Sequence, residues 1–411
     1  MRIDGPRRVT GRLRPPGDKS ISHRALLLGA LAEGTSVVSG LSDGDDVGRT
    51  ARAVASLGAA VDVAGDTTRI AGGRGRLRQP DATIDCGNSG TGIRLLAGVC
   101  ASLPFRSVLD GDVSVRARPM GRVTEPLSVM GARIDRENPP LTIEGGGLHG
   151  IDYAPRVASA QVKSAILLAG LDAGGETVVR ESVQTRTHTE EMLAMCGADI
   201  AVAPGIVRVR PSKLQPFELD IPADPSQAAF WVVAACITPG SDLTVGPIYI
   251  GPARSGFLGV LARMGASVEI DGASVRARQS PLRGVEVGGA EVPGLIDEIP
   301  VLAVAAAMAD GTTVFRDAAE LRVKESDRID GTVAMLRAFG VTAEGTADGL
   351  AVVGTGRLRG GGAIDSRGDH RLAMAAAVAG LAADGGVTID GWESVATSYP
   401  RFEEDLRRCA S

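Results

Sequence analysis

Six short stretches gather residue types able to hold and process small acids. They are Lys19-Ser20-Ile21-Ser22-His23-Arg24, Asn88-Ser89-Gly90-Thr91-Gly92-Ile93-Arg94, Ser159-Ala160-Gln161-Val162-Lys163, Asp224-Pro225-Ser226-Gln227, Asp297-Glu298-Ile299-Pro300 and Asp369-His370-Arg371. Each precedes an apolar run of small residues and therefore reads as a helix start. A helix N-terminus presents unpaired N–H donors and about half a positive charge, which suits phosphate and carboxylate. Capping alone accounts for the Ser, Asn and Asp residues. It does not account for the added basic groups Lys19, Arg24, Arg94, Lys163 and Arg371. A further cluster, Arg322-Val323-Lys324-Glu325-Ser326-Asp327-Arg328, mixes both signs. Read as a helix face, it sets Lys324 and Arg328 in repulsion at i,i+4 unless an anion lies between them. Forked guanidinium groups and point-charge ammonium groups together are what a substrate bearing phosphate and carboxylate requires.

Lys and Arg total 44, and only four of these are Lys: Lys19, Lys163, Lys213 and Lys324. A GC-rich genome explains the general bias. Against it, a retained lysine points to a need for an ammonium group, which can shift its pKa and release a proton where a guanidinium cannot.

Other chemistries find little support. Gly17-Asp18-Lys19-Ser20 lacks the upstream Gly of a P-loop. The four His residues share no metal spacing, and no Ser/His/Asp or Cys nucleophile signature is present, so a metal-free and cofactor-free site is expected. Five widely spaced Cys residues read as reduced thiols of a cytoplasmic protein. A net charge of −5 offers no bulk attraction for nucleic acid or an anionic membrane. The apolar run Leu372–Ala383 falls short of the roughly 18 residues that span a bilayer, and the charged stretch Met1–Thr10 is not a signal peptide.

The elements that must position these residues form a repeat. A polar start, a small-residue helix, a turn and a β-prone stretch recur over Lys19–Val38, Asn88–Leu109, Ser159–Val179, Asp224–Val245, Asp297–Phe315 and Asp369–Ile389. Between them recurs an amphipathic helix ending in Gly (Gly58, Gly131, Gly197, Gly265 and Gly340) and followed by a strand. The unit is a βαβ type of roughly 70 residues. Length favours two domains. With Pro punctuating the chain at Pro15-Pro16-Gly17 and Pro222-Ala223-Asp224-Pro225, the expected division is 17–222 and 1–16 plus 223–411, three repeats each. Scarce aromatics (3%) and abundant Gly (55) imply cores of Ala, Val and Leu in close contact.

Five segments together resemble the 5-enolpyruvylshikimate-3-phosphate synthase family along essentially the whole chain. They are Pro16–Arg24, Cys86–Arg94, Arg116-Ala117-Arg118-Pro119-Met120-Gly121, Leu321–Arg328 and Gly368-Asp369-His370-Arg371. The resemblance implies an α/β fold, a two-domain inside-out α/β barrel with three βαβ-type repeats per domain and the active site in the interdomain cleft. It implies transfer of the enolpyruvyl group of phosphoenolpyruvate to the 5-hydroxyl of shikimate 3-phosphate by addition and elimination. By matching position, Lys19, Ser20, Arg24, Ser159, Ala160, Gln161 and Arg186 would hold shikimate 3-phosphate, with Asp297 and Lys324 on its ring hydroxyls. Lys19, Asn88, Gly90, Thr91, Arg118, Gln161, Arg328 and Arg371 would hold phosphoenolpyruvate. Asp297 is expected as the base, Glu325 as the acid at C3 and Lys19 as a proton shuttle.

Three positions depart from the commonest pattern: Ala160 for a serine, Glu320 for an asparagine and Thr397 for a lysine. Lys163 and Arg186 are expected to supply the missing positive charge. Gly90 leaves room in the pocket, so inhibition by glyphosate is expected. A sister family that transfers enolpyruvyl to UDP-N-acetylglucosamine is disfavoured by Ser20, where it has Asn, and by Val113, where it has a loop Cys. A nucleic-acid end cyclase of the same fold would want a nucleotide-transfer nucleophile and a basic face. A non-enzymatic repeat binding protein would not concentrate cations at helix starts. A cytoplasmic monomer that closes on its anions is expected.

Overall fold

A computed structural model describes residues 1–251 and 254–411. The six expected starts are helix starts or lie directly before them, and the helices they open are buried on nearly every side. They span Lys19–Leu31, Gly90–Ser102, Ala160–Gly170, Pro225–Ile237, Ile299–Ala307 and His370–Ala382. A helix apolar all round has no solvent face to offer, so it must lie inside. Small residues let these helices approach closely. A Cβ at Gly98 would collide with the backbone of Ala165, so helices Gly90–Ser102 and Ala160–Gly170 touch main chain to main chain. The amphipathic helices form an outer set, and Gly58, Gly131, Gly197, Gly265 and Gly340 all take positive φ at their ends.

The chain divides into two compact units, Gly17–Ile221 and Met1–Pro16 with Pro222–Ser411. Each is a cycle of three βαβ repeats. In the first unit, Ile84–Asp85 pairs parallel with Arg106–Asp110 across the helix Gly90–Ser102, and Asp152–Tyr153 pairs parallel with Thr177–Arg180 across Ala160–Gly170. The strand after the first helix, Gly34–Ser39, takes its parallel neighbour from the far end of the unit, with Glu218 opposite Val37 and Asp220 opposite Ser39. An antiparallel hairpin completes each of these sheets, giving four strands apiece.

The second unit closes the same way with residues from the chain's beginning. Thr10–Leu13 pairs parallel with Asp242–Val245, and Arg2–Ile3 pairs antiparallel with Val387–Thr388. The first sixteen residues therefore belong to this unit because their partners are there. Five of its aromatic rings, Phe230, Trp231, Trp392, Tyr399 and Phe402, meet at the start of the last helix, Phe402–Cys409, where Phe402 lies 5.1 Å from Trp231 and 5.2 Å from Tyr399. The Trp231 indole donates to the Tyr399 hydroxyl at 3.2 Å, which donates to Asp405 at 2.7 Å, so the buried polar ends are satisfied. Among the described residues no helix is long and apolar enough to cross a membrane. All five cysteines are buried and free of disulfides; burial pushes the Cys100 thiol up to about 12, leaving it unreactive.

Candidate active site

In the unit Gly17–Ile221 the three helix starts are capped by Asp18, Ser89 and Ser159, whose side chains accept from the N–H of Ile21, Gly92 and Val162. Lys19 stands at the first position of its helix with Nζ 3.0 Å from Asp46 Oδ2. Arg24 is one turn further in and almost wholly buried. It donates to Thr189 Oγ1 at 2.6 Å, to Ser164 Oγ at 2.6 Å and to the carbonyl of Ser20 at 2.8 Å, all neutral acceptors.

Around the second helix, Arg118 donates to Asn88 Oδ1 at 3.0 Å and Asn88 donates onward to Asp112 at 2.7 Å. A Cβ at Gly90 would run into Arg118 Nη1 and come within 3.3 Å of Arg94 Nη1, so this glycine makes room for two guanidinium groups. Arg94 donates to Gln161 Oε1 at 2.6 Å, and Gln161 donates to Thr91 Oγ1 at 2.8 Å. The starts of the second and third helices are thus tied into one network, with Ala160 opening the third helix beside its cap. Arg116, two residues from Arg118, turns outward and clamps Asp110 with two bonds.

His23 is enclosed between helix starts, with Nδ1 2.8 Å from Thr50 Oγ1 and Nε2 3.5 Å from Ser89 Oγ. Burial, reinforced by the charges of Lys19 and Arg24, holds its pKa well below 6.5, so the ring is neutral. Lys163 does not supply the open positive charge expected of it. Its side chain is 1% exposed, and its ammonium lies 2.8 Å from Glu181 and 2.6 Å from Glu190. Arg186 is half-buried in the loop that leads to the helix His188–Met195.

In the unit made of Met1–Pro16 and Pro222–Ser411, the expected residues meet around two carboxylates. Asp297 lies in a short turn before the helix Ile299–Ala307 and does not cap it. Its carboxylate faces cations instead: Arg328 Nη1 at 3.1 Å, Lys324 Nζ at 3.4 Å and Arg371 Nη2 at 4.0 Å. A helix face carrying Lys324 and Arg328 would set them in repulsion unless an anion lay between them. The helix begins only at Arg328, Lys324 precedes it in extended backbone, and the anion that reconciles the two cations is Asp297. Arg322 faces away, donating to the carbonyl of Ala347 at 2.9 Å and to Asp327 at 2.6 Å.

Arg328 is 1% exposed and also bonds Asp369 at 2.8 Å and Glu325. Burial opposes its charge, but Asp369, Glu325 and Asp297 outweigh that and raise its pKa. Burial would by itself raise Asp369; Arg328 more than offsets this and holds its carboxyl below the usual range, against the opposing charge of Glu325. Arg371 donates to the carbonyl of Asp297 at 3.2 Å and lies 3.8 Å from Glu298. Glu298 is fully buried and accepts from Ser226, while Arg254 holds Asp224 and Ser226. Sequence reasoning does not single out Asp46, Glu298 or Arg254 as site residues; Glu298 stands beside Asp297, but neither Asp46 nor Arg254 lies in a segment with any other signal. Of the unusual positions, Thr397 Oγ1 donates to the carbonyl of Ser394 at 2.8 Å and Glu320 sits in a 3₁₀ turn before Lys324.

Comparison with known proteins bears on this arrangement. The family described as EPSP synthase (3-phosphoshikimate 1-carboxyvinyltransferase) matches residues 3–406. A 3-phosphoshikimate 1-carboxyvinyltransferase of Xanthomonas campestris is 49% identical over 96% of this chain and 93% of its own. One from Geobacter sulfurreducens is 48% identical over 98% and 97%. The solved structure of an EPSP synthase from Acinetobacter baumannii superposes with a TM-score of 0.87 at 40% identity, covering 99% of this chain and 98% of that one. The enolpyruvyl transferase NikO of Streptomyces tendae, 19% identical with a TM-score of 0.82 over 100% and 97% of the two chains, shares the fold.

Proposed function

The chain belongs to the EPSP synthase family and transfers the enolpyruvyl group of phosphoenolpyruvate to shikimate 3-phosphate, and we propose that two sets of residues divide that reaction between them. Lys19, Ser20, Arg24, Ser159, Ala160, Gln161 and Arg186 take shikimate 3-phosphate, and Lys324 and Asp297 take its ring hydroxyls. Asn88, Gly90, Thr91 and Arg118, with Lys19, Gln161, Arg328 and Arg371, take phosphoenolpyruvate. The observation that carries this assignment is the clustering of Lys324, Arg328 and Arg371 on the single carboxylate of Asp297.

Three cations around one carboxylate make it a poor base. When the phosphate and carboxylate of the substrates draw off Lys324 and Arg371, Asp297 regains basicity and accepts the proton of the 5-hydroxyl as it attacks C2. Glu325, held by Arg328, carries the proton to C3 in the addition; as Lys19 assists departure of phosphate from the tetrahedral adduct, Glu325 takes a proton back from the C3 methyl, which restores the double bond. No charge has to be created without a partner already in place.

The test is phosphate release from phosphoenolpyruvate with shikimate 3-phosphate or UDP-N-acetylglucosamine as acceptor. Release is expected with the first; release with the second alone would reverse the acceptor assignment. The same reading makes the protein a cytoplasmic monomer that works without nucleic acid, membrane or cofactor. Its net charge of −5 accords with that.

A further inference from the structure

Lys163 is buried at the inner end of an indentation lined by Val157, Ala158, Ser159, Glu181 and Ser182, one turn inside the third helix. Its ammonium is enclosed by Glu181 and Glu190 and is kept from direct contact with an incoming anion. Burying three charges costs more than an apolar trio of the same size, so stability alone is a weak reason for them. Where the second bonds lead is more telling. Glu181 Oε1 accepts from the backbone N–H of Thr185 at 3.1 Å and from its hydroxyl. Thr187 donates to Glu191 at 2.5 Å. Thr189 is 2.6 Å from Ser164 and accepts from Arg24. Glu190 returns to Lys163. Every second residue of 185–189 is pinned, and Arg186 sits between two of the pins.

We propose that Lys163 is a positioning residue for shikimate 3-phosphate: it fixes Glu181 and Glu190, which brace the loop from both ends and thereby set where Arg186 presents its guanidinium. This rests on the assignment of Arg186 to shikimate 3-phosphate. Lys163 does not touch the substrate, and its effect passes through the loop. Burial raises the pKa of Glu190 while Lys163 opposes the shift, in keeping with an ammonium retained to hold that carboxylate in place.

Steady-state kinetics on the full chain test this. Lys163→Met removes the ammonium. Thr185→Val removes the hydroxyl half of the link from Glu181 to the loop, keeps the backbone N–H bond and leaves the three charges together, so it remains informative if the first variant fails to fold. Each is expected to raise the KM for shikimate 3-phosphate about tenfold, a partial loss of one charge-assisted contact. The KM for phosphoenolpyruvate and kcat should stay within about twofold, a split that general loosening of the fold would not produce. In an Arg186→Ala background neither change should add more than about twofold, because coupled residues are non-additive. An unchanged KM in a folded single variant, or a full tenfold loss in the Arg186→Ala background, overturns the proposal. If Arg186→Ala alone leaves the KM for shikimate 3-phosphate unchanged, the role of Arg186 is wrong, and that failure is distinct from a failure of the brace.

Discussion

Three arginines of one unit and three cations of the other rest on different kinds of acceptor, although Lys19 and Lys163 of the first unit also meet carboxylates. In Gly17–Ile221, Arg24, Arg94 and Arg118 are positioned by hydroxyls, amides and carbonyls. In the other unit Arg328, Arg371 and Lys324 lean on Asp297, Asp369, Glu325 and Glu298. Neutral acceptors fix a guanidinium while leaving its charge for a ligand. Carboxylates cancel the charge and create groups whose protonation can change. The first arrangement suits binding of an anion, the second suits moving protons.

The largest expected effect tests the second arrangement. Asp297→Asn keeps the shape and loses the base, so kcat should fall about 10²- to 10⁴-fold with little change in folding; a loss confined to KM would dissolve the contrast. A matched pair of changes sharpens it through denaturant unfolding. Arg328→Met strands three carboxylates around a buried position and should cost about 3–5 kcal/mol. Arg24→Met leaves the neutral acceptors Thr189, Ser164 and the Ser20 carbonyl rather than carboxylates and should cost less, while binding of shikimate 3-phosphate collapses. Equal losses of stability would refute the distinction.

Smaller again is Gly90→Ala, whose methyl must displace Arg118. The KM for phosphoenolpyruvate should rise several-fold while that for shikimate 3-phosphate holds, and a matching rise in both would place Gly90 elsewhere in the mechanism. The smallest effect concerns His23. Its folded pKa lies well below 6.5, so the unfolded chain binds the extra proton. The stability this contributes is complete above the unfolded pKa near 6.5 and is lost as pH falls below it, by at most about 1.4 kcal/mol per unit. Melting followed from pH 7.5 to 5.5 should show the slope, and His23→Gln should flatten it.

Much of this was legible from local chemistry. Helix starts announce themselves because caps, small residues and terminal glycines are choices made within one turn of chain, which is why Asp18, Ser89, Ser159, Asp224 and Asp369 all cap. Partnership across hundreds of residues leaves no such mark. Nothing near Lys324 announces Asp297, and nothing in Lys163 declares that Glu181 and Glu190 consume its charge. Arg116 and Arg118 look equivalent in sequence, yet one faces Asp110 and the other Asn88. The closing strands Thr10–Leu13 and Glu218–Asp220 are too short to name their neighbours; only the completed cycle does that.

The parallel seam between Glu218–Asp220 and Gly34–Ser39 has a consequence for biosynthesis. It brings Ile221 within 3.2 Å of where a side chain on Gly17 would stand, so the two ends of Gly17–Ile221 emerge side by side. That stretch is a self-contained insert and can finish folding while the ribosome is still making the residues beyond Ile221. The first sixteen residues cannot. They must wait, unpaired, until residues 242–245 and then 387–388 appear, which leaves the amino-terminal strand among the last edges to be sealed during translation.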